Sequence, residues 1–216
     1  MKHVSLVTFA MTSSDGASLK PITARGEATR QKILSAAEEA FGRSGFFRAS
    51  ISDITRGAGV AQGTFYLYFQ NKEDVLGELV RHMGRELRRM LTHSIPTGLT
   101  RLDAEREGIA AFMRFVSERQ NLYRVVQESL FVDEEIYRGY YMDFARGYMS
   151  ALEKSVEKNE IRDGNLEVWV WILMGVGHFL GLRYGLWAKN GLGDTELDAV
   201  MDFIRNGIAV SDSNRS

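Results

Sequence analysis

The amino-acid sequence predicts an all-α protein with a small three-helix head, joined by a long helix to a larger helical body. The chain of 216 residues contains two prolines, which is typical of long helices rather than of a turn-rich sheet protein. Apolar residues recur at helical spacing in successive segments, whereas no segment shows the strict alternation of a half-buried strand. Its 44% of hydrophobic residues is enough for a sizeable core.

The head begins with a helix predicted over residues 27–44, followed by two short helices over 52–58 and 61–69. A glycine after Ser44 ends the first helix. Ser50, with an aspartate three residues later, forms a capping box before the second helix. The first helix gains its apolar face from residues at helical spacing: Ile33, Ala36, Ala37, Ala40 and Phe41.

The third short helix is the least regular, because it ends in five consecutive aromatic or apolar residues. Such a run favours a strand by propensity alone. Gly59 before the helix can supply a left-handed turn, and Asn71 behind the run is a good N-cap for the next helix. Between these two signals the run must be helical, with Phe65 and Phe69 in the core. The sequence does not indicate whether Leu67 faces the core or the solvent.

A long helix predicted over residues 72–92 connects the head to the body. Its apolar stripe is continuous: Val75, Leu76, Leu79, Val80, Met83, Leu87, Met90 and Leu91. Five further helices are predicted in the body. Capping residues mark the starts of four of them: Thr100 with Asp103, Asp133, Asp163 to Asn165, and Gly193-Asp194.

The most apolar stretch, residues 168–182, contains no Lys, Arg, Asp or Glu. It is shorter than the ~20 residues that a membrane helix needs. We therefore expect a buried core helix and no membrane association. Residues 1–22 are predicted to form a disordered arm, and residues 211–216 a tail. The apolar part of the arm is short and interrupted by polar residues, so export is not favoured and a cytoplasmic location is expected.

Charge separates the head from the body. Residues 20–72 carry eight Lys and Arg against four Asp and Glu, although the whole chain has a net charge of −1. A basic head on an acidic body is typical of a polyanion-binding surface, and equally of a solvated basic face. The chain has no cysteine, which excludes disulfides and cysteine-bound zinc. We expect no metal and no cofactor.

Two short helices separated by a glycine turn, behind a longer helix in a basic segment, indicate a helix-turn-helix. The segment TRQKILSAAEEAFGRSGFFRASISDITRGAGVAQGTFYLYFQNKEDVL resembles the DNA-binding domain of the TetR/AcrR family of transcriptional regulators. The positions that carry the resemblance include Ile33, Ala37, Phe41, Gly45, Ile51, Ile54, Ala58-Gly59-Val60, Gly63-Thr64, Tyr66, Tyr68-Phe69 and Lys72-Glu73. It implies a DNA-binding domain at residues 23–70 and a ligand-binding and dimerisation domain at residues 71–210.

The resemblance and the side-chain chemistry together predict how the head contacts DNA. Gln62 can pair bidentately with adenine and Thr64 can contact thymine, so these two are the candidates for base recognition. Two small residues let the backbone approach the groove: Ala61 and Gly63. Phosphate contacts are expected from the remaining candidates: Arg25, Arg48, Ser50, Tyr66, Tyr68 and Lys72. Alternatively, the serine is only a helix cap and the second tyrosine only a packing residue.

By resemblance, the last two long helices pair with those of a second copy, giving a homodimer on palindromic double-stranded operator DNA. Gly177, Gly181 and Gly185 lie four residues apart on one stripe of the apolar helix. Each interior glycine costs up to ~1 kcal/mol relative to alanine, and a close helix–helix approach would offset that cost. The approach can be to the second copy or within the chain. Val200 and Ile204 on the last helix are further interface candidates.

The body is rich in aromatic residues, and tyrosine or histidine tips inside a core need hydrogen-bond partners. Eight residues are candidates for lining a small-molecule effector site: Met113, Phe131, Tyr141, Phe144, Tyr148, Trp171, Met174 and His178. Such a stripe is also typical of plain core. Residues 121–148 loosely resemble TetR-type regulators of fatty-acid metabolism, whose effectors are acyl-CoA thioesters, with Arg124, Arg138 or Arg183 available for phosphates. An aromatic or steroid-like effector is the alternative.

Two other classes of function compete with a ligand-released homodimeric repressor. A helical enzyme has no support, because the chain contains no HExxH, GxSxG or P-loop motif and no cysteine nucleophile. A DNA-binding protein that takes no effector would have a solid body without a cavity. The sequence favours the repressor, with no catalytic residue.

Overall fold

A computed structural model describes residues 23–188 and 190–208. These residues form nine α-helices and no strand, which confirms the predicted fold class. The helices are α1 (Ala24–Ser44), α2 (Ile51–Ala58), α3 (Gln62–Phe65), α4 (Lys72–Ser94), α5 (Arg101–Glu118), α6 (Gln120–Ser129), α7 (Glu134–Glu157), α8 (Leu166–Leu180) and α9 (Asp194–Ile208). A π-helical segment, Gly181–Trp187, continues α8. The predicted arm and tail lie outside the described residues.

Short polar side chains fix the starts of most helices, at positions that the sequence predicts. The Ser50 hydroxyl accepts a hydrogen bond from the Asp53 amide, and the Asp53 carboxylate accepts one from the Ser50 amide. The Asn71 side chain accepts a bond of 2.8 Å from the Asp74 amide at the start of α4. The same kind of cap begins α5, α7 and α8: Thr100, Asp133 and Asn165. These caps satisfy backbone donors that have no partner within the helix.

The third helix of the head is shorter than the predicted range, 61–69. It ends at Phe65, and the following residues form tight turns whose amides donate to carbonyls three or four residues earlier. Phe65 and Phe69 are both buried, with their rings 5.7 Å apart. Burying these rings holds the aromatic run in a helix-like path against its strand propensity. Leu67 points outward and is 66% exposed.

One hydrophobic core runs from the head into the body without a break. Phe41, Ile54 and Phe65 of the head belong to the same buried cluster as Met83 of α4 and Val126 of α6. Burying each such side chain contributes about 1.5–3 kcal/mol. Because this core crosses the predicted domain boundary after residue 70, the boundary separates two predicted functions and does not separate two cores.

A ring of arginines ties the head to the connecting helix α4 through Glu78. Its carboxylate lies 3.3 Å from Arg30 of α1 and 2.9 Å from Arg85, with Arg81 at 3.4 Å. Burial alone would raise the pKa of Glu78, but the hydrogen bond from Arg85 and the charges of Arg30 and Arg81 lower it overall. The partly buried ion pairs fix how α1 lies against α4.

A second hydrophobic core joins α5, α7, α8 and α9. It encloses the carboxylate of Glu105, which is 4% exposed. Arg101 lies 2.8 Å from this carboxylate, and the Tyr148 hydroxyl donates a hydrogen bond to it. Burial, and after it the charge of Glu105, raises the pKa of Tyr148. The buried charge of Glu105 is thus paired and hydrogen-bonded, as burial requires.

The apolar helix α8 is not the buried core helix that the sequence suggests. Of the α8 residues, Val170 and Leu173 alone are buried. With its π-helical continuation the helix spans 22 residues, Leu166–Trp187, because it runs on past Arg183. By length and composition it is the one candidate membrane span among the described residues. Helices that pack against protein pass the same test, so the finding is weak evidence for a membrane.

The glycines of this long helix face the interior of the chain. A Cβ added at Gly185 would lie 2.4 Å from Cγ1 of Val116, and one added at Gly181 would lie 2.9 Å from the Tyr123 hydroxyl. Gly177 faces a ring of α5 at 3.9 Å. Gly181 and Gly185 are buried within one copy. The close approach of these two glycines in one copy is therefore to α5 and α6, the intramolecular alternative that the sequence left open.

Candidate DNA-binding surface and effector site

The candidate DNA-binding surface is built on the turn between α2 and α3. Gly59 ends α2 in the left-handed conformation, with φ 66° and ψ 35°, which a side chain would strain. The Val60 amide donates to the Thr55 carbonyl at 3.0 Å and closes the turn. The sequence predicts this turn, and it directs α3 away from α2 so that the first turn of α3 is presented outward.

The first turn of α3 is open to solvent. Ala61, Gln62 and Gly63 are exposed, and a Cβ added at Gly63 would meet no atom within 4 Å. Thr64 is half-buried, and Tyr66 beyond it is 48% exposed. Small residues beside an exposed amide side chain leave room for a base edge to reach that amide. The surface suits the predicted base contacts, which stay predictions.

The candidate phosphate-binding residues at the α1–α2 side differ in how far their side chains are already hydrogen-bonded within the protein. Arg25 and Arg48 are exposed, and Arg48 Nε donates to the Ser44 carbonyl at 2.7 Å, which orients its guanidinium. The Ser50 hydroxyl donates to the Asp53 carboxylate at 2.6 Å. The side-chain and backbone hydrogen bonds from Ser50 lower the pKa of Asp53. Ser50 therefore serves first as a helix cap, the alternative that the sequence left open.

Lys72 is engaged within the protein rather than extended towards solvent. Its ammonium donates to the carbonyls of Phe46 at 2.8 Å and Ala49 at 2.9 Å, and lies 4.4 Å from the centre of the Phe46 ring. Two of its three donors are thus used to hold the α1–α2 loop. The structure therefore gives Lys72 a role in holding this loop, for which an ammonium with three donors is suited, and its phosphate contact stays a prediction.

Tyr68 is half-buried and packs against the head core. The packing alternative therefore applies to Tyr68. Tyr66 is 48% exposed, and its ring lies T-shaped against that of Phe65 with the centroids 5.4 Å apart. Of the two tyrosines, Tyr66 is the one whose position suits a phosphate contact.

A polar cluster in the body joins two of the predicted effector residues. The Tyr141 hydroxyl lies 2.9 Å from Nδ1 of His178, and the ring of Tyr137 lies T-shaped against Tyr141 at 4.8 Å. Burial raises the pKa of Tyr141 and lowers that of His178, so both groups are kept neutral. Nε2 of Gln127 is buried and has no hydrogen-bond partner within the described residues. The cluster thus offers a neutral donor–acceptor pair with the Gln127 amide beside the Tyr141 hydroxyl.

The other six predicted effector residues do not gather at this cluster. Phe144 packs with the first core, whereas Met113, Tyr148 and Met174 belong to the second core or pack against it. Two of the eight face outward instead: Phe131 and Trp171. The first follows a turn at the end of α6, and the second shares the outer side of α8 with other exposed apolar residues, so neither can line an interior site in one copy.

Comparisons with known proteins decide the family. The family model described as bacterial regulatory proteins, tetR family, matches residues 33–79. The fatty acid metabolism regulator protein of Bacillus subtilis (strain 168) is 30% identical over 138 residues, which cover 62% of this chain and 71% of that protein. The chain belongs to the TetR family. Its relatives are transcriptional regulators, and this TetR-family member is a DNA-binding regulator of the same kind.

Solved structures share the fold of this TetR-family chain over most of its length. GusR of Salmonella enterica superposes with a TM-score of 0.71 at 21% identity, covering 82% of this chain and 94% of that one. FadR of Bacillus subtilis, solved in complex with stearoyl-CoA, superposes with a TM-score of 0.67 at 23% identity, covering 82% and 96%. At such identities the likeness shows the fold alone.

The TetR-family body has an exposed apolar face on α8 and α9. Phe179 and Phe203 are 67% and 71% exposed, and Ile172 and Trp187 are also open. A groove of about 310 Å³ runs between the two helices, lined by Val176, Leu180, Tyr184, Glu196, Ala199, Val200 and Phe203. Val200, a predicted interface residue, thus lies on this face. Ile204 is buried in the second core, so it supports the face from behind and does not form it.

Three residues beside the candidate surfaces were not singled out by sequence reasoning. Phe47 is 71% exposed beside Arg48, although nothing in its neighbourhood distinguishes it from a core phenylalanine. Gln127 and Glu128 stand next to each other on α6 and face the body cluster and the head. The contact of Glu128 with Phe46 spans 82 positions of the chain, so no local signal could have found it.

Proposed function

We propose that this protein is a homodimeric repressor that binds a palindromic operator and is released from it by a large hydrophobic effector, a long-chain acyl-CoA. The observation that supports this proposal most is the solvent-exposed first turn of α3. There the exposed Gln62 lies between two small residues, in a helix-turn-helix of the TetR family. The predicted alternatives are a DNA-binding protein that takes no effector and, with no motif to support it, a helical enzyme.

Base recognition by α3 is supported by what surrounds Gln62. Its exposed side-chain amide can donate to N7 and accept from N6–H of adenine, while Thr64 offers a methyl group or a hydroxyl. Arg25 and Arg48, both exposed, supply positive charge for the phosphates. The head alone would bind one half-site with few contacts, so tight and specific binding requires a second head.

A second copy is the partner that the exposed face of α8 and α9 suits. Large apolar patches that stay open on one copy mark interaction surfaces. The face consists of two helices and carries both projecting rings and a groove that could receive them. The projecting rings are those of Phe179 and Phe203, and the groove is lined by Leu180 and Val200. A two-fold axis would let each projecting ring enter the groove of the other copy. We therefore infer a homodimer, whose two heads reach successive major grooves about 34–36 Å apart.

A long-chain acyl-CoA is supported by the relatives and by the chemistry of the body. The B. subtilis relative is a fatty acid metabolism regulator, and the B. subtilis FadR structure holds stearoyl-CoA. In this chain the body cluster of Tyr141, His178 and Gln127 would take the polar thioester end or a carbonyl, while the apolar residues around it would take the chain. Effector binding would move α4, which requires that the effector binds the released state more tightly.

Footprinting of the DNA that flanks the gene tests the repressor. The expected result is protection of a palindrome with half-sites about one helical turn apart, lost when stearoyl-CoA is added. Absence of any protected palindrome would sink the proposal. If a palindrome is protected and neither stearoyl-CoA nor a panel of shorter acyl-CoAs releases it, the effector-independent alternative is favoured instead.

Native mass spectrometry of the purified protein tests the effector and the dimer separately. A complex of two chains with stearoyl-CoA bound is expected, with much weaker binding of free coenzyme A because it lacks the hydrocarbon chain. A single chain at micromolar concentration would contradict the homodimer, and equal binding of coenzyme A and stearoyl-CoA would contradict a hydrophobic effector site.

A further inference from the structure

The loop between α1 and α2 is held at one residue from two sides. The Phe46 amide donates to Oε2 of Glu128 at 2.5 Å, and the Phe46 carbonyl accepts from the Lys72 ammonium at 2.8 Å. Glu128 lies on α6 in the body, whereas Lys72 begins α4. The phenyl ring itself is 2% exposed. One backbone residue of the head is therefore fixed by a carboxylate from the body and an ammonium from the connecting helix.

The structure leaves room for this contact at two glycines. Gly45 has φ 80°, and a Cβ there would lie 3.2 Å from Oε1 of Glu128. A Cβ at Gly42 would lie 2.4 Å from the side chain of Asn121 on α6. The end of α1 and the side of α6 therefore approach each other more closely than larger residues allow. The head meets α6 along a surface that the Glu128 hydrogen bond completes.

The held loop carries residues of the candidate DNA-binding surface. Phe46 is followed by exposed Phe47 and Arg48, and by Ser50, which caps α2. A shift of the loop would displace the guanidinium of Arg48 and the start of α2 together. A carboxylate acceptor makes a stronger hydrogen bond than a neutral one, so the loop is fixed firmly while Glu128 stays in place.

The residue before Glu128 faces the other way, into the body. Gln127 lies beside the Tyr141 hydroxyl, and its Nε2 is buried with no hydrogen-bond partner among the residues that the structure describes. A ligand acceptor at this cluster would give the buried Gln127 amide a well-formed hydrogen bond. Adjacent positions on α6 thus contact the effector cluster and the head.

We propose that Glu128 is a positioning residue for DNA binding, and that α6 transmits effector binding at Gln127 to the α1–α2 loop by withdrawing Glu128 from the Phe46 amide. The second half of this proposal rests on the proposed effector function. The first half does not, since it concerns the unliganded protein and DNA alone.

Variants of Glu128 test the first half with a duplex selected by the wild-type protein from a random-sequence library. Glu128→Ala should bind that duplex about tenfold more weakly, because the charged acceptor is lost. Hydrogen exchange at the Phe46 amide should become faster. Glu128→Gln keeps a carbonyl acceptor and should restore most of the affinity. Glu153→Ala, which removes an equal charge from an exposed position of α7, should leave both measurements unchanged.

A purely structural role for Glu128 makes a different prediction. It would lower the melting temperature of Glu128→Ala and leave the affinity for the selected duplex unchanged well below that temperature. This outcome, or an unchanged exchange rate at Phe46, would overturn the positioning role. Failure of Glu128→Gln to bind better than Glu128→Ala would also contradict a role as hydrogen-bond acceptor.

Addition of stearoyl-CoA tests the second half. In the wild type it should speed exchange at the Phe46 amide and release the duplex, whereas in Glu128→Ala it should weaken duplex binding several-fold less. If stearoyl-CoA releases wild type and Glu128→Ala equally, with no change at Phe46, transmission through Glu128 is wrong and the proposed repressor stands. If stearoyl-CoA does not bind the wild type, the proposed effector fails, and the Glu128→Ala result still decides the positioning role.

Discussion

The ammonium of Lys72 lies 2.8 Å from the carbonyl oxygen of Phe46 and 4.4 Å from the centre of its ring. The Lys72 charge, which the sequence predicts to contact DNA phosphate, therefore also holds the loop between α1 and α2. A cation that holds a loop and a cation that binds phosphate can both strengthen DNA binding. The salt dependence of the affinity distinguishes them, because only the phosphate contact releases counterions.

Replacing Lys72 with methionine, which keeps the apolar stem, should destabilise the fold by about 2 kcal/mol through the loss of two charged donors. Binding to operator DNA should weaken, while the slope of log affinity against log salt stays that of the wild type. The matched variant Arg48→Met should reduce that slope by ~0.9 for each head, or ~1.8 for the homodimer, with little change in stability. A lower slope for Lys72→Met would restore the phosphate contact that the sequence predicts.

Gln62→Ala should relax base preference at one operator position by about 1–3 kcal/mol, because the bidentate pair with adenine is lost. Binding to non-specific DNA should change little. The measurement is a comparison of all four base pairs at each operator position. Gln31→Ala removes an exposed amide from α1 and should leave every preference unchanged. Equal effects of the two variants would remove Gln62 from the recognition surface.

Gly185→Ala should destabilise the protein by ~1–3 kcal/mol, because the added methyl overlaps Cγ1 of Val116 at 2.4 Å. Gly147→Ala, in an exposed position of α7 with no atom within 4 Å, should instead stabilise it by ~0.5–1 kcal/mol. Urea unfolding of both variants provides the test. If Gly185→Ala keeps its stability and loses its dimer, the close approach of that glycine is to a second copy after all.

The stability of the protein should fall on acidification through about pH 6.5 because of His178. Burial lowers the pKa of this histidine from its ordinary value of 6.5. Below that pH the unfolded chain takes up a proton that the folded chain resists, so the free energy of unfolding decreases; above it both states are neutral. His178→Gln should lose part of this decrease in urea titrations at several pH values. Exposed His93→Gln, its control, should behave as the wild type.

Phe203→Glu should convert the protein to a single-chain species in sedimentation experiments, because a charge on the α8–α9 face would be buried without a partner. Its helical content should stay unchanged. Phe131→Glu places the same charge on an exposed phenylalanine that belongs to neither helix and should remain dimeric. Dimers of both variants would place the interface elsewhere.

The parts of the fold that could be predicted are those set by residues close together in the chain. The caps at Ser50, Asn71 and Asp133 follow from residues three positions apart, and each is confirmed. The left-handed turn at Gly59 follows from a glycine between two short apolar segments. Helix type and order are local properties of this kind, so the all-α architecture followed directly.

What could not be predicted from the sequence is which distant residues contact one another. Lys72 is separated from Phe46 by 26 positions, and its basicity predicted a phosphate partner as readily as a carbonyl. The glycine stripe of α8 indicated a close approach, but periodicity does not say which helix approaches. The apolarity of α8 suggested burial in one copy, although an interface helix has the same composition. In each case the residue type indicated that a contact would form, but the sequence did not show with which part of the protein.

The core shared by Phe41, Ile54 and Phe65 with Met83 and Val126 limits how such a protein can be recombined. A head that ends at residue 70 would expose part of its interior to water, so it is not an interchangeable module. Chimaeras that exchange DNA specificity should keep α4 and α6 with the body and replace only surface positions of the head. Because the core is continuous, the head should unfold cooperatively with α4 and α6.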